Sequence, residues 1–399
     1  MSSPSSSIAI SWVLSTISGY GIYGLQIVLQ FLCRGGQQVI LTRKPAITAL
    51  PPLVQPKLDP IFDLAGKLHT FLQDKPNELL SFNHAVLHGC STDFSGFPGQ
   101  DMVWGKPNVA CAAIEHLVCT DHGRAVAKNY DMFIAISEWN AAYLKSLNVG
   151  PVHLCYQGID PTLFHPGPRS HLYRDRFMIF SGGKFEFRKG QDIALAAFKI
   201  FHARHPEALL VSCWQNLNMP DAKAFELAGH CQTMPQAAPN FGLQTTPWLL
   251  SMGLPPHSFI DLPFTHNLLM PNVLRECDVA IFPNRCEGGT NLVAMEAMAC
   301  GIPTYVSYNT GHKDLVDFIG CNAFRSQKAV KPSPHMATVQ DWGESDVDEV
   351  VEALEYVYAH REAAAQNAKN VAEKMQAWTW GALNEKLLKI VCDGQTGTA

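Results

Sequence analysis

The sequence predicts an α/β chain built as two doubly wound, Rossmann-like domains facing an interdomain cleft. Three observations carry this. Apolar strand-like runs alternate with amphipathic helical stretches through both halves. A length of 399 residues suits two domains. Apolar residues make up 47% of the chain against 16% charged, enough to fill large cores on both faces of parallel sheets.

The elements follow in order. Met1–Ser7 is a Ser/Pro tail, expected to be disordered. Ile8–Leu14 reads as a buried strand, Ser15–Tyr20 as a loop and Gly21–Arg34 as a helix with Ile22, Leu25, Val28, Leu29 and Leu32 on its apolar side. Gly35–Gly36 stops that helix and Gln38–Thr42 is the next strand. Pro45–Pro60 reads as a proline-rich connection. Ala85–Leu87 and Asn108–Ile114 are strands leading into His88–Gly89 and Glu115–His116. Helices at Ala125–Tyr130 and Glu138–Leu147 alternate with strands at Met132–Ile136 and Val152–Tyr156. Gly167–Asp175 is the expected linker, so the first domain is placed at residues 1–168 and the second at 169–377.

In the second domain Phe177–Ser181 is a strand, GGKFEFRKG a loop, Gln191–His205 a helix and Ala208–Cys213 a strand. Trp214–Pro256 reads as irregular. Phe259–Leu262 is a strand and Leu269–Glu276 a helix, then Val279–Phe282 and Thr304–Ser307 are strands around a helix at Leu292–Cys300. Helices at Asp348–His360 and Arg361–Ala377 precede a last amphipathic helix, Trp380–Val391, in a separate segment 378–399.

Composition excludes several classes. A formal net charge of -5 with no long basic run argues against nucleic acid as a partner. Twelve cysteines stand singly without a C-x-x-C pair, which reads as reduced thiols in a cytoplasmic protein. His84 and His88 fall on a strand rather than one helix face, so no metal site is expected. Ile8–Phe31 lacks a basic leader and is broken by Gly19, Gly21, Gly24 and Gln26, so it is neither signal peptide nor span. The N-terminal half is nevertheless apolar, with Asp59 its first acid, which suits peripheral membrane contact.

Chemistry concentrates in Ile281–Val306. A strand feeds a polar loop that delivers Glu287, Gly288, Gly289, Thr290 and Asn291 to a helix beginning at Leu292. Free N–H groups at a helix start make an anion site. Glu296, one turn in, could take sugar hydroxyls. Gly182-Gly183-Lys184-Phe185-Glu186-Phe187-Arg188-Lys189-Gly190 occupies the same kind of position, and its lysines could share an anion or form a solvated loop. Gly19-x-Gly21-x-x-Gly24 matches the dinucleotide fingerprint, but the second strand ends in Thr42-Arg43-Lys44 with no acid for a ribose. Arg43 would suit a 2′-phosphate; a tight turn, or close approach to a substrate, explains the glycines equally. His116, at a strand end, could orient a hydroxyl or carry a proton.

Taken together, GGKFEFRKGQDIALAAF, ECDVAIFPNRCEGGTNLVAMEAMACGIP, YDMFIAISEWNAAYLKSLNV with YQGIDPTLFHPG, and the Trp378-Thr379-Trp380 stretch resemble the retaining GT-B glycosyltransferases of family 4. The resemblance implies a GT-B enzyme, cytoplasmic, whose C-terminal helix packs back on the N-terminal domain. It implies retention of anomeric configuration and no metal or other cofactor. A nucleotide-sugar donor would lie on the C-terminal domain. Lys184, where the family has arginine, and Lys189 would hold the diphosphate beside Gly183 and Arg188. Gly288, Gly289, Thr290, Asn291 and Leu292 would contact phosphate and sugar, and Glu296 the ribose. His116 would lie near the transferred sugar and the Gly19–Gly21 loop over the phosphates. The family has seven residues between its glutamates and this sequence eight, so a one-residue insertion within Gly288–Asn291 is inferred, leaving Glu287 in the first role. The acceptor stays open among glycans, lipid-linked sugars and small molecules, as does the oligomeric state. The competing readings are an NADP-dependent oxidoreductase, on Gly19, Gly21, Gly24 and Arg43, and a non-catalytic nucleotide-sugar binder.

Overall fold

A computed structural model describes residues 7–36, 38–47, 49–75, 77–97, 99–216, 223–231, 233–239, 242–333, 336 and 338–393. The chain divides into unit 1, residues 1–158 with 378–399, and unit 2, residues 159–377.

Unit 1 is a doubly wound sheet. Its elements are β1 (Ser7–Ile10), α1 (Gly19–Cys33), β2 (Gln38–Leu41), α2 (Gln55–Asp74), β3 (Ala85–Cys90), β4 (Asn108–Ala112), α3 (Asp121–Ala127), β5 (Met132–Ala135), α4 (Glu138–Leu147) and β6 (Val152–Leu154). Six parallel strands run in the order β2-β1-β3-β4-β5-β6. Central strands are buried on both faces, which is why Ala85–Cys90 and Asn108–Ala112 read as continuous apolar runs. Of the expected N-terminal tail only Ser7 is described, and it opens β1.

Two sequence expectations fail here. Pro45–Pro60 is not all connection: α2 starts at Gln55, with a proline in its first turn, where no N–H is needed, and Pro60 inside it. The helix expected at Ala125–Tyr130 begins earlier, at Asp121, because the Thr120 hydroxyl accepts the Gly123 N–H at 3.1 Å and caps it.

Unit 2 repeats the plan with β7 (Phe177–Gly182), α5 (Gln191–Arg204), β8 (Ala208–Cys213), α6 (Thr245–Ser251), β9 (Phe259–Asp261), α7 (Met270–Leu274), β10 (Val279–Phe282), α8 (Leu292–Ala299), β11 (Thr304–Ser307), β12 (Asn322–Phe324), α9 (Val347–Ala359) and α10 (Arg361–Met375). The strand order is β9-β8-β7-β10-β11-β12, all parallel. The stretch read as irregular holds α6, which buries Trp248 and Leu249.

The chain leaves unit 1 before the Gly167–Asp175 segment read as the linker. Arg275 donates to the Leu163 and His165 carbonyls at 2.6 and 3.0 Å, Arg169 pairs with Asp278 at 2.9 Å, and Phe164 is buried, so this segment stays on unit 2. Re-entry is through α11 (Trp380–Asp393), whose Trp380 stacks on Tyr23 of α1 and whose Asp393 meets Arg34 at 2.7 Å. A side chain at Gly158 would strike the backbone of Thr379 and Trp380, so exit and re-entry adjoin. All twelve cysteines are free. No helix among the described residues is long and apolar enough to cross a membrane.

Candidate active site

In an open α/β sheet, ligands bind beyond the carboxyl ends of the strands, where the strand order reverses. In unit 2 that point lies between β7 and β10. The loops following these two strands are GGKFEFRKG and PNRCEGGTN, so topology alone brings both candidate motifs together.

The loops are pinned to each other. Gly190 has φ +66°, and a Cβ there would sit 2.1 Å from the Pro283 carbonyl; only glycine allows this approach. The Arg188 carbonyl accepts from the Arg285 and Cys286 amides. Arg285 is fully buried and gives a two-pronged ion pair to Asp192 (2.8 and 2.7 Å), a bond to Glu344 (2.8 Å) and one to the Phe187 carbonyl (2.9 Å). Its guanidinium also lies 4.1 Å from the centre of the Phe187 ring. Sequence reasoning missed this triad. The available signal was an arginine in an otherwise uncharged run, since arginine is almost never fully buried unless paired.

Glu287 sits at the centre of the cluster. One carboxylate oxygen accepts from Lys189 and Asn284, the other from Arg188 at 3.1 Å. Burial alone would raise its pKa. Lys189 first, then Arg188, more than reverse this and hold the carboxyl at about 2. Its backbone is held as well: the Glu287 N–H donates to Thr310 Oγ1 at 2.8 Å and its carbonyl accepts from Gly311 at 3.0 Å. A side chain on Gly311 would collide with the Gly289 carbonyl, so the two turns pack without a gap.

Asn291 turns the chain into α8 with φ 65°, a conformation asparagine tolerates better than most residues. Its amide Nδ2 donates to His312 Nε2 at 3.1 Å. Burial lowers the His312 pKa to about 4, so the ring is neutral and able to accept. The first intrahelical bond is from Met295 to the Asn291 carbonyl, leaving the N–H groups of Leu292, Val293 and Ala294 ahead of it. Glu296 lies on the same helix, buried, accepting from Asn267 at 2.6 Å; burial, only partly opposed by that bond, raises its carboxyl to about 8. Beyond the carboxyl ends of β8 and β9 is a cavity of about 260 Å³ lined by Gln215, Thr245, Asp261 and Pro263.

The structure thus brings together Arg188, Lys189, Glu287 and the Gly288–Leu292 backbone, with Glu296 one turn further along. Gly183 (φ +132°) and Lys184 are on the same loop, Lys184 at its exposed rim and Lys189 turned inward. His116 lies in unit 1 just beyond β4, partly buried, its N–H 3.4 Å from Thr92 Oγ1. Gly19 and Gly21 are not a loop: they form the first turn of α1, capped by the Ser18 hydroxyl. A Cβ on Gly21 would meet Ser15 and one on Gly24 the Trp12 indole, so helix packing on β1 and its loop accounts for these two glycines, while Gly19 stands clear of any neighbour. Among the described residues no three His, Cys, Asp or Glu side chains gather as a metal site.

Residues 263–387 match the family described as family 4 glycosyltransferase in conflict systems. No curated protein matches the chain in sequence. Among solved structures, sucrose-phosphate synthase from Thermosynechococcus elongatus is similar over 96% of this chain and 98% of its own, with 17% identity and a TM-score of 0.63. Anabaena HepE, solved with UDP and glucose, gives 14% identity and a TM-score of 0.60 at the same coverage. The trehalose-6-phosphate synthase OtsA gives 13% and 0.59 over 98% of this chain and 99% of its own. Two Rossmann-like units, with the chain returning to the first through α11, make this a GT-B protein. More particularly, residues 263–387, which carry the Glu287 and Glu296 motif, are similar to the family 4 glycosyltransferases of conflict systems.

Proposed function

We propose that the protein transfers a hexose from a nucleotide-sugar donor to an acceptor hydroxyl with retention at the anomeric carbon. The observation that carries the reading is the convergence, at the switch point of unit 2, of inward-facing Lys189 and Arg188 with the leading N–H groups of α8. A diphosphate leaving group gains negative charge as the glycosidic bond breaks, and fixed cations and amide dipoles stabilise that charge without reorganising. Lys184, on the rim of the same loop, is the further cation. The neutral Glu296 carboxyl can donate to one ribose hydroxyl and accept from another. The cavity beyond β8 and β9 takes the base. Glu287 orients Lys189 and Arg188 and offers its carboxylate to the sugar.

For retention, the acceptor oxygen forms its bond to the anomeric carbon on the face that the leaving phosphate oxygen vacates. The acceptor proton passes to that oxygen, so the diphosphate departs with the bonding pair and one proton. The cations and the helix start supply the charge neutralisation, and no cofactor enters the scheme.

The test is a panel of UDP-, GDP-, ADP- and dTDP-hexoses read by thermal shift, followed by proton NMR of the glycoside formed. One donor should stabilise the fold, and the product should keep the donor's anomeric configuration. Lys189→Ala should abolish transfer in a folded protein. Stabilisation by no nucleotide sugar, or full turnover in Lys189→Ala, overturns the reading; an inverted product overturns retention alone. Donor binding without consumption across a broad acceptor panel would favour the non-catalytic binder instead.

A further inference from the structure

His312 takes no part in the scheme above, yet it lies against the start of α8. It opens a short helical turn, His312–Asp314, that follows β11, and it is fully buried. The two residues before it hold the Glu287 backbone through Thr310 Oγ1 and the Gly311 N–H. One segment therefore supports both ends of the Glu287–Asn291 loop.

A neutral imidazole has one nitrogen that donates and one that accepts. Nδ1 of His312 faces the Ser307 carbonyl, which can only accept, although the approach falls short of full hydrogen-bond geometry. Nε2 is 3.1 Å from Asn291 Nδ2. The proton therefore belongs on Nδ1 and the lone pair on Nε2. Burial keeps a second proton off the ring against the pull of the Glu287 carboxylate, and Lys189 and Arg188 act in the same sense as burial.

This tautomer fixes the Asn291 carboxamide. Only its N–H₂ can face a lone pair, so Oδ1 is on the branch turned away from the ring. Oδ1 accepts from no group among the described residues and is not sealed in by them; Asn291 as a whole is 6% exposed. An uncommitted acceptor thus stands beside the leading N–H groups of α8, which are donors. A carboxamide oxygen repels phosphate oxygens and suits a hydroxyl, which brings its own proton. The opposite amide orientation would present N–H₂ instead and favour a second phosphate contact.

We infer that His312 is a positioning residue, which holds Asn291 Oδ1 as the acceptor for a hydroxyl of the transferred sugar. The sugar rests on the transferase reading; the tautomer and the carboxamide orientation stand on unit 2 alone.

The experiment takes two readouts from the full chain. Nitrogen-15 NMR of histidine-labelled protein at neutral pH reports the tautomer without any ligand. The His312 signals, assigned by their loss in His312→Gln, should show Nδ1 protonated and Nε2 bare; a proton on Nε2 overturns the inference. Calorimetric titration with UDP, GDP, ADP and dTDP, and with their glucose conjugates, then separates sugar from phosphate. In His312→Leu the conjugate that binds wild type should bind about five- to tenfold more weakly, the worth of one hydrogen bond. Its nucleoside diphosphate should keep wild-type affinity, which a general disturbance of the helix start would not allow. His312→Gln, whose carboxamide can still present an oxygen to Asn291, should recover most of the loss. Asn291→Gly should lose as much as His312→Leu, and combining the two should lose no more, because one acts through the other. Equal weakening of conjugate and diphosphate, additive losses, or no loss overturns the role. Should His312→Leu fail to fold, Asn291→Gly and the wild-type tautomer decide the matter. A chain that binds none of these nucleotides removes the transferase reading and the sugar hydroxyl with it, whereas the tautomer still tells whether His312 fixes the carboxamide.

Discussion

Replacing Glu287 with glutamine tests the charge balance of the site. The carboxyl is held at about 2 against an ordinary 4.5, and the groups responsible are Lys189 and Arg188. At 1.36 kcal/mol per pH unit this preference for the ionised form is worth about 3 kcal/mol. The folded pKa is depressed, so the contribution is present above about 4.5 and is lost as pH falls toward 2. Glu287→Gln should therefore be less stable than wild type at pH 7 by up to about 3 kcal/mol, with the gap closing between pH 4.5 and 2. Lys189 then loses its carboxylate while Arg188 keeps Glu186 at 2.7 Å, so UDP should bind more tightly, by less than the ~100-fold that transfer of the whole interaction would give. Sugar transfer should fall nonetheless, because the cations and sugar lose their fixed carboxylate. Denaturant unfolding across the pH range and calorimetric titration with UDP read both quantities. A stability gap independent of pH, or UDP affinity unchanged or weaker in Glu287→Gln, would refute the reasoning.

Three further outcomes follow from the geometry. Glu296 has a folded pKa raised to about 8, so wild-type stability should decline as pH rises from about 4.5 to 8, and Glu296→Gln should remove that decline; identical slopes in denaturant unfolding count against it. Arg285→Met strands the buried Asp192 carboxylate and should cost about 3–5 kcal/mol, most of it recovered in the Arg285→Met, Asp192→Leu double variant; a single-variant loss below about 1 kcal/mol would show that the pair is not holding the loops. Asn291→Gly and Asn291→Ala both lose the His312 contact, but only alanine resists φ 65°, so alanine should be the less stable by about 1–2 kcal/mol in thermal unfolding, and equal stabilities would contradict a strained turn.

The doubly wound pattern was legible because parallel strands buried on both faces leave continuous apolar runs, as in Phe177–Gly182 and Val279–Phe282. The loops after these strands were legible for the same reason: topology, not distance in sequence, places them side by side. Interactions between residues far apart in the chain were not legible. Arg285 lies 93 residues from Asp192 and 59 from Glu344, and nothing local links them. Gly21 and Gly24 were ambiguous because small residues serve equally for a phosphate turn and for a helix packed tightly on a strand; their closeness to Ser15 and Trp12 shows only in three dimensions. Proline density between Pro45 and Pro60 hid the start of α2, since proline is as welcome in a first helical turn as in a connection.

The return of α11 to α1 has a consequence for synthesis. All six strands of the first sheet are complete once residue 154 has been made, yet the helix that stacks Trp380 on Tyr23 and supplies Asp393 to Arg34 emerges only after the whole of unit 2. A nascent chain ending at Ala377 carries an uninterrupted unit 2 and an uncovered α1. Closure of the N-terminal unit is thus deferred until unit 2 has been made, and a stop codon just before Trp380 would expose the apolar side of α1 although the lesion lies more than 200 residues beyond the sheet that α1 covers.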